Sequence, residues 1–154
     1  MAIWDYQLIL FPKGNVAELT EGWMDFTGPF FFDFDKAVKI LEMMDEVKND
    51  NSSKSWDTFE TECYYLYDDG TYKVEIELNT GTKTENADII SIRTNFFKNE
   101  GSIVDALKIC KILSESLNLS CWNIKLGKSV DLNNKQDVEI TINHFEKLRS
   151  KRLS

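Results

Sequence analysis

The stretch that decides the fold is residues 58–78, TFETECYYLYDDGTYKVEIEL, in which apolar and polar side chains alternate on both sides of a turn. Alternation with a period of two predicts half-buried β-strands, because successive side chains of a strand point to opposite faces of its sheet. Asp-Gly between two such runs is a strong hairpin signal. We therefore expect residues 58–67 and 72–78 to form antiparallel strands joined by a turn at residues 68–70.

A third strand is predicted at residues 88–95, where Ile90 and Ile92 alternate with Ser91 and Arg93. With the hairpin it forms a three-stranded antiparallel meander. In such a meander, one face packs on the core and the other faces solvent.

Further strands and helices flank the meander. The apolar run at residues 6–11 and the alternating run at residues 120–126 predict two more strands. Helices are predicted to begin near Asp35, Ser102 and Asn134, each of which starts a run of apolar residues at three- and four-residue spacings. The apolar face of the first helix runs on to Val47, and a capping oxygen precedes each helix.

Residues 13–34 follow no single period. Asn15, with Glu18 three positions later, matches the cap of a short helix, which Gly28 and Pro29 would end. Within this segment the aromatic residues are Trp23, Phe26, Phe30, Phe31, Phe32 and Phe34. We expect most of them in the core, and the alternative is an exposed apolar patch used for a partner or for self-association.

These elements predict an α+β fold, with an antiparallel sheet built on the central meander and helices packed mainly on one face. A chain of 154 residues is the length of one domain, so residues 1–154 are expected to form a single domain. The polar stretch at residues 48–55 is predicted to be a loop within that domain. The alternative is a flexible joint between two parts.

Composition limits the classes of partner. The formal net charge is −8, which argues against binding to nucleic acid or to anionic lipid, since both require a basic surface. The same charge favours solubility and electrostatic steering towards a basic partner. The first residues lack a basic segment followed by an apolar core, so no signal peptide is expected and the protein is predicted to be cytoplasmic.

The sequence contains few residues in patterns typical of a catalytic site or of a site for a metal or another cofactor. We predict that the protein has no catalytic residues and binds no metal or other cofactor. His144 is the only histidine, and no nucleophile can be placed beside it from spacing. The GKS ending at residues 127–129 lacks the first glycine of a P-loop, because Trp122 stands at that position. Asp33 and Asp35 are explained as a helix cap, and the three cysteines lie in apolar stretches as buried thiols.

The polar face of the meander is the strongest candidate for a binding surface. If the strands pair as predicted, its exposed side carries four carboxylates and one aromatic ring, with only Lys73 and Arg93 to offset the negative charge; the carboxylates and the ring are those of Glu60, Glu62, Tyr64, Glu75 and Glu77. Neighbouring carboxylates repel one another, so folding gains nothing from this arrangement. We interpret it as a docking surface for a basic patch with Tyr64 as an aromatic contact, and the alternative is a solvated sheet face.

The chain resembles the immunity proteins of bacterial polymorphic toxin systems. The resemblance is one of type and rests on a small acidic α+β chain, the lack of an active site, and the meander at residues 56–93 followed by the helix at residues 102–117. It implies a cytoplasmic, non-catalytic toxin inhibitor whose acidic face covers a basic surface of the cognate toxin. It transfers no functional residue.

Two other classes of function remain. The first is a structural or adaptor protein that assembles with itself, for example as a homodimer, or with a host complex through the aromatic segment. The second is an enzyme or small-ligand binder with a site built from scattered carboxylates.

Overall fold

A seven-stranded antiparallel sheet is the central layer of the protein in the computed structural model, which describes residues 4–50 and 60–151. The described strands are β1 (Asp5–Pro12), β2 (Val16–Thr20), β3 (Trp23–Thr27), β4 (Phe32–Asp33), β5 (Val47–Asn49), β6 (Tyr64–Asp68), β7 (Lys73–Leu78), β8 (Asn86–Ala87), β9 (Ile90–Asn95), β10 (Leu119–Asn123) and β11 (Lys128–Val130). The described helices are α1 (Phe34–Met43), α2 (Ile103–Leu117) and α3 (Lys135–Lys151). The large sheet has the order β11-β10-β1-β9-β7-β6-β5, and β2–β3 and β4–β8 form two small sheets.

The helices cover one face of the large sheet, which confirms the predicted α+β fold. Alternate strand residues such as Leu8, Ile76 and Ile92 are fully buried there, in one cluster with Leu113 of α2 and Phe145 of α3. Burying a side chain of this size stabilises the fold by about 1.5–3 kcal/mol. The alternation that predicts the meander is therefore also what builds the core.

The predicted helix caps are present. The Ser102 hydroxyl accepts a hydrogen bond from the backbone N–H of Asp105 at the start of α2, and Asn118 ends that helix in a left-handed conformation. The carboxylate of Asp33 caps α1. At the start of α3, the side chain of Asn134 accepts from two backbone N–H groups of the first turn. Each cap satisfies backbone donors that the helix itself leaves without partners.

The prediction of a short helix that begins at Asn15 is wrong. Residues 16–27 instead form the hairpin β2–β3, in which Val16 pairs with Thr27 and Thr20 pairs with Trp23. The Asn15 side chain donates from Nδ2 to the Phe30 carbonyl and accepts from the Phe30 N–H, at 2.9 and 3.1 Å. Its amide therefore closes the base of a hairpin rather than the start of a helix.

The predicted strand at residues 58–67 is shorter than expected. Residues 61–63 form a 3-10 turn, in which the Cys63 N–H donates to the Glu60 carbonyl, and β6 begins only at residue 64. Residues 58 and 59 lie outside the described residues. Of the predicted loop at residues 48–55, the first two residues belong to β5, and residues 51–55 also lie outside the described part.

Two further elements end at least three residues earlier than the sequence predicts. Helix α1 ends at Met43 because Met44 has extended backbone angles, and Val47 pairs with Tyr67 in the sheet. Strand β10 ends at Asn123, whose Oδ1 accepts from the Leu126 N–H and starts a turn.

Candidate partner-binding face

The outer face of the large sheet, opposite the helices, brings together three of the five predicted binding residues. The strand register sets Tyr64 opposite Glu77 and Glu75 opposite Arg93. Strand β1 continues the row, with Gln7 opposite Arg93. Because directly opposed residues of an antiparallel pair share a face, Tyr64, Glu75 and Glu77 form a contiguous group there.

Glu60 and Glu62 are not aligned with that group by the strand register, because Glu60 is the N-cap of the 3-10 turn before β6 and Glu62 lies within that turn. The Glu60 carboxylate accepts a hydrogen bond from the Lys83 N–H, and its own N–H donates to the Gly81 carbonyl. The Glu62 carboxylate accepts from the Thr61 hydroxyl at 3.0 Å. Both glutamates are exposed, but the alternation that would place them on one strand face with Glu75 and Glu77 does not hold.

Arg93 lies between the two glutamates of β7. Its Nε is 3.7 Å from the Glu75 carboxylate and its Nη2 is 3.9 Å from that of Glu77. The side chains of Arg93 and Glu77 are only 18% and 17% exposed, whereas that of Glu75 is 47% exposed. Glu75 is therefore the carboxylate of this group that a partner reaches most directly.

The electrostatics around Glu75 are unfavourable for its charged form. Partial burial raises the pKa of this carboxyl, and the negative charges of Asp5, Asp50 and Glu77 raise it further, while Arg93 offsets them. The Glu75 carboxylate and the three carboxylates that act on it are therefore offset by one guanidinium, that of Arg93. The register also places Lys48, opposite Leu66, and Lys73, which is 3.7 Å from Glu100, on this face, so the negative charge is in excess only close to Glu75 and Glu77, where it suits a cationic partner.

The phenol of Tyr64 completes the group. Burial, and then the neighbouring Glu77 carboxylate, raise the pKa of Tyr64 well above its ordinary value. The ring is therefore neutral at physiological pH. A half-buried tyrosine beside carboxylates offers a partner both an apolar surface and a polar group.

The hairpin β2–β3 folds over another part of the same face. The Phe26 ring lies 4.9 Å from the Phe11 ring and 6.5 Å from the Trp122 ring, measured between centroids. These three aromatic rings fix the hairpin to β1 and β10. Beyond them, the hairpin and the sheet enclose an open groove of 930 Å³.

The groove is mainly apolar and ends at Glu77, beside the acidic group, as we call Glu75, Glu77 and the neighbouring carboxylates around Arg93. Its sheet wall contains Ile9, Trp122 and Ile124, and its hairpin wall contains Ala17, Met24 and Phe26. Towards the hairpin tip, Leu19 is 72% exposed and Trp23 is 74% exposed. Among the described residues that line the groove, Glu77 alone is charged.

The base of the hairpin is closely packed. A Cβ atom at Gly28 would lie only 2.0 Å from Oδ1 of Asn15. Any larger residue at this position would displace the Asn15 amide and with it the two hydrogen bonds to Phe30. The sequence indicates a turn at Gly28 but gives no sign of this contact.

The aromatic segment is divided between core and surface. Phe32 and Phe34 are buried, whereas Trp23, Phe30 and Phe31 are at least half exposed. The groove itself is what sequence reasoning missed. The signal for it was the failure of any single period to bury residues 23–34.

The residues considered for catalysis take part in the packing and hydrogen bonding of the fold. The His144 ring is hydrogen-bonded to the Tyr6 hydroxyl, and residues 128 and 129 lie in strand β11 rather than before a helix. The three cysteines are buried thiols. Within residues 4–50 and 60–151, no three His, Cys, Asp or Glu side chains are grouped as metal ligands.

The chain matches no protein-family model, and comparison with curated proteins and with solved structures finds no significant similarity. None of the helices in the described part of the chain has both the length and the apolar composition needed to cross a bilayer.

Proposed function

We propose that this chain is a non-catalytic, cytoplasmic inhibitor that neutralises a bacterial toxin by binding a basic surface of it, as immunity proteins do. The observation that carries the proposal is the excess of carboxylates around Arg93, which includes Glu75 and Glu77, beside an apolar groove on the same face. Charge steers a partner and apolar surface holds it.

The charge arrangement supports a protein partner with clustered lysine or arginine side chains. Long-range attraction between an acidic protein and a basic one raises the association rate, which is valuable for an inhibitor that must act before the toxin does. Arg93 lies within 4 Å of both carboxylates, which restrains the side chains of Glu75 and Glu77. Such positioning lowers the entropy lost when a complex forms.

The test begins with an affinity-tagged chain, expressed in its native cell, from which co-purified proteins are identified by mass spectrometry. We expect a stoichiometric basic protein that is toxic when expressed alone and harmless when the chain is co-expressed. Absence of such a protein from cells that carry a toxin gene beside that of the chain would contradict the proposal.

A pair of matched variants locates the surface. Glu75→Gln with Glu77→Gln removes two negative charges from the outer face, and we expect weaker binding and loss of protection. Glu42→Gln with Glu139→Gln removes two exposed charges from helices α1 and α3 and leaves the outer face intact. Equal loss in both pairs would indicate a general charge effect rather than a defined docking surface.

The second candidate is a structural or adaptor protein that works through self-association. It is favoured by two neighbouring exposed aromatic side chains before helix α1, Phe30 at 50% and Phe31 at 56% exposure. Sedimentation equilibrium of the wild-type chain and of Phe31→Ser tests it. A dimer that the substitution dissociates would favour this candidate over toxin neutralisation.

A further inference from the structure

We propose that the groove between hairpin β2–β3 and the outer face receives an apolar side chain from an extended, basic segment of a protein partner. The inference rests on the proposed function and deepens it, because it specifies how the partner is held. The acidic group around Arg93 would attract the partner, and the groove would bind one particular part of it.

The size and lining of the groove suit such an occupant. A volume of 930 Å³ lies at the upper end of the ~300–1,000 Å³ typical of protein binding clefts, so it accommodates a large apolar side chain and adjoining backbone. Leu19 and Trp23 leave most of their surface in solvent at the mouth of the groove. Exposed aromatic and aliphatic side chains beside a cleft are typical of the centre of protein interfaces.

One buried donor in the groove lining has no acceptor. The Nε1–H of Trp122 is buried and makes no hydrogen bond within the described residues. Buried indole N–H groups usually have a partner, because leaving one without an acceptor is unfavourable. Because this nitrogen has almost no accessible surface and the Phe26 ring of the hairpin lies against the indole, a backbone carbonyl of a docked segment would reach it only if the hairpin shifts.

Charge decides which kind of segment fits. Hairpin residues 16–27 contain three exposed carboxylates and no lysine or arginine; by the register, Glu18 and Asp25 share the face of Val16, away from the groove, and Glu21 lies in the turn at the tip. Glu77 adds a fourth carboxylate at the sheet wall. An acidic peptide or a fatty-acid carboxylate would be repelled here, whereas lysines flanking an apolar residue would be attracted.

A smaller apolar cleft between α2 and α3 provides a contrast. It measures 210 Å³ and is lined by Leu107, Val138 and Ile142, but also by Lys108 and Lys111. Its lysines would repel a basic segment. The acidic surroundings therefore distinguish the hairpin groove from this cleft as a binding site for a cationic peptide.

The experiment uses three synthetic hexapeptides, capped at both ends, with the sequences KKLFKK, KKSSKK and EELFEE. Each is titrated into the full ¹⁵N-labelled chain, and the indole N–H signal of Trp122, assigned with Trp122→Phe, is followed by NMR. We expect saturable shifts with KKLFKK, at least tenfold weaker binding of KKSSKK, and no binding of EELFEE. Equal binding of KKLFKK and KKSSKK, or no shift with KKLFKK, would overturn the inference.

Two variants on one strand provide the structural control. Ala17→Phe fills the groove from its hairpin wall, whereas Val16→Phe adds the same ring on the opposite face of the hairpin. We expect at least a tenfold loss of KKLFKK affinity for Ala17→Phe and little change for Val16→Phe, with thermal unfolding confirming that both fold. Equal affinity of the two variants, or a Trp122 shift that follows protein concentration without peptide, would contradict the proposed occupant.

The groove and the proposed function can fail separately. If a toxin partner depends on Glu75 and Glu77 but tolerates Ala17→Phe, the function stands and the groove inference is wrong. If KKLFKK occupies the groove but no toxin is found, the site stands and the function is wrong.

Discussion

Tyr6 and His144 connect strand β1 to the last helix through a 2.8 Å hydrogen bond between the Tyr6 hydroxyl and His144 Nδ1. The same hydroxyl oxygen accepts from Nδ2 of the fully buried Asn123, at 2.7 Å. Because the hydroxyl has one proton, we assign that proton to the bond with His144, which makes Nδ1 the acceptor of a neutral ring. Asn123 also donates to Thr141 of α3, at 3.3 Å. The network therefore fixes α3 on the sheet.

The first prediction concerns pH. Burial, and then the positive charges of Lys125, Lys147 and Lys151, hold the pKa of His144 below its ordinary value of 6.5. Since the pKa is lower in the folded chain than in the unfolded chain, the stability that His144 contributes is fully present above pH 6.5. It is lost as the pH falls through the lower folded value. Urea unfolding at several pH values should show this decrease, and His144→Gln should reduce it; identical pH profiles would contradict it.

Tyr6→Phe tests the same network without a change of charge. The substitution removes the acceptor of the Asn123 amide and the donor to His144 while leaving the ring in place. We expect the free energy of unfolding to fall by about 1–3 kcal/mol, the cost of leaving a buried polar group without its partner. Tyr72→Phe is the control, because Tyr72 is 39% exposed, and it should change stability by less than about 0.5 kcal/mol.

Arg149 organises the loop that follows β9. Its guanidinium donates to the carbonyls of Asn95, Phe96, Lys98 and Gly101, at 2.8 to 3.3 Å. Lysine keeps the positive charge but cannot reproduce this planar set of donors. We expect Arg149→Lys to lower the free energy of unfolding by about 2 kcal/mol, roughly the value of a charge-assisted hydrogen bond.

The control for this variant is Lys147→Arg, a conservative change at an exposed position on the same helix. It should leave the unfolding midpoint unchanged. If Arg149→Lys were as stable as the wild-type protein, the four carbonyl contacts would contribute nothing measurable.

Gly101 is the residue around which the same loop closes. A Cβ atom at this position would lie 1.5 Å from the Asn95 carbonyl oxygen, so alanine cannot fit unless the backbone moves. We expect Gly101→Ala to destabilise the fold by about 3 kcal/mol, at the upper end of the cost of overpacking. Differential scanning calorimetry measures the effect, and an unchanged melting temperature would show that the loop rearranges freely.

The parts of the fold that the sequence predicts are those in which short-range periodicity and burial agree. Val74 and Ile76 alternate with Glu75 and Glu77, and the structure buries the first pair and leaves the second partly exposed. Alternation over six residues can be recognised in the sequence alone, because it does not depend on which strands pair with the segment.

The errors arise where a distant contact overrides a local pattern. Asn15 has the sequence context of a helix cap, but its amide pairs with the backbone of Phe30, fifteen positions later. Residues 61–63 alternate like a strand, yet the bond between the Glu60 N–H and the Gly81 carbonyl starts a turn there. For the candidate site, alternation predicts the row of Tyr64, Glu75 and Glu77, whereas the groove depends on how the hairpin folds over the sheet.

The last prediction is that Glu75 makes the fold less stable than a neutral residue would. Its pKa is raised in the folded chain by burial and by neighbouring carboxylates, so its contribution to stability is present below the unfolded value of 4.5 and is lost as the pH rises through the folded value. Glu75→Gln, which keeps an acceptor for Arg93, should therefore stabilise the protein at pH 7. Because the side chain is half exposed, solvent screening limits the gain to less than about 1 kcal/mol.

The difference between Glu75→Gln and the wild-type protein should disappear near pH 4, where the wild-type carboxyl is protonated, and urea unfolding at both pH values measures it. Glu139→Gln, on the exposed surface of α3, is the control and should show no such pH dependence. A variant that is both more stable and weaker in binding a basic partner would mean that the carboxylate is retained at the expense of stability, which is expected of a binding residue. A Glu75→Gln variant less stable than the wild-type protein at pH 7 would instead assign Glu75 a structural role as a partner of Arg93.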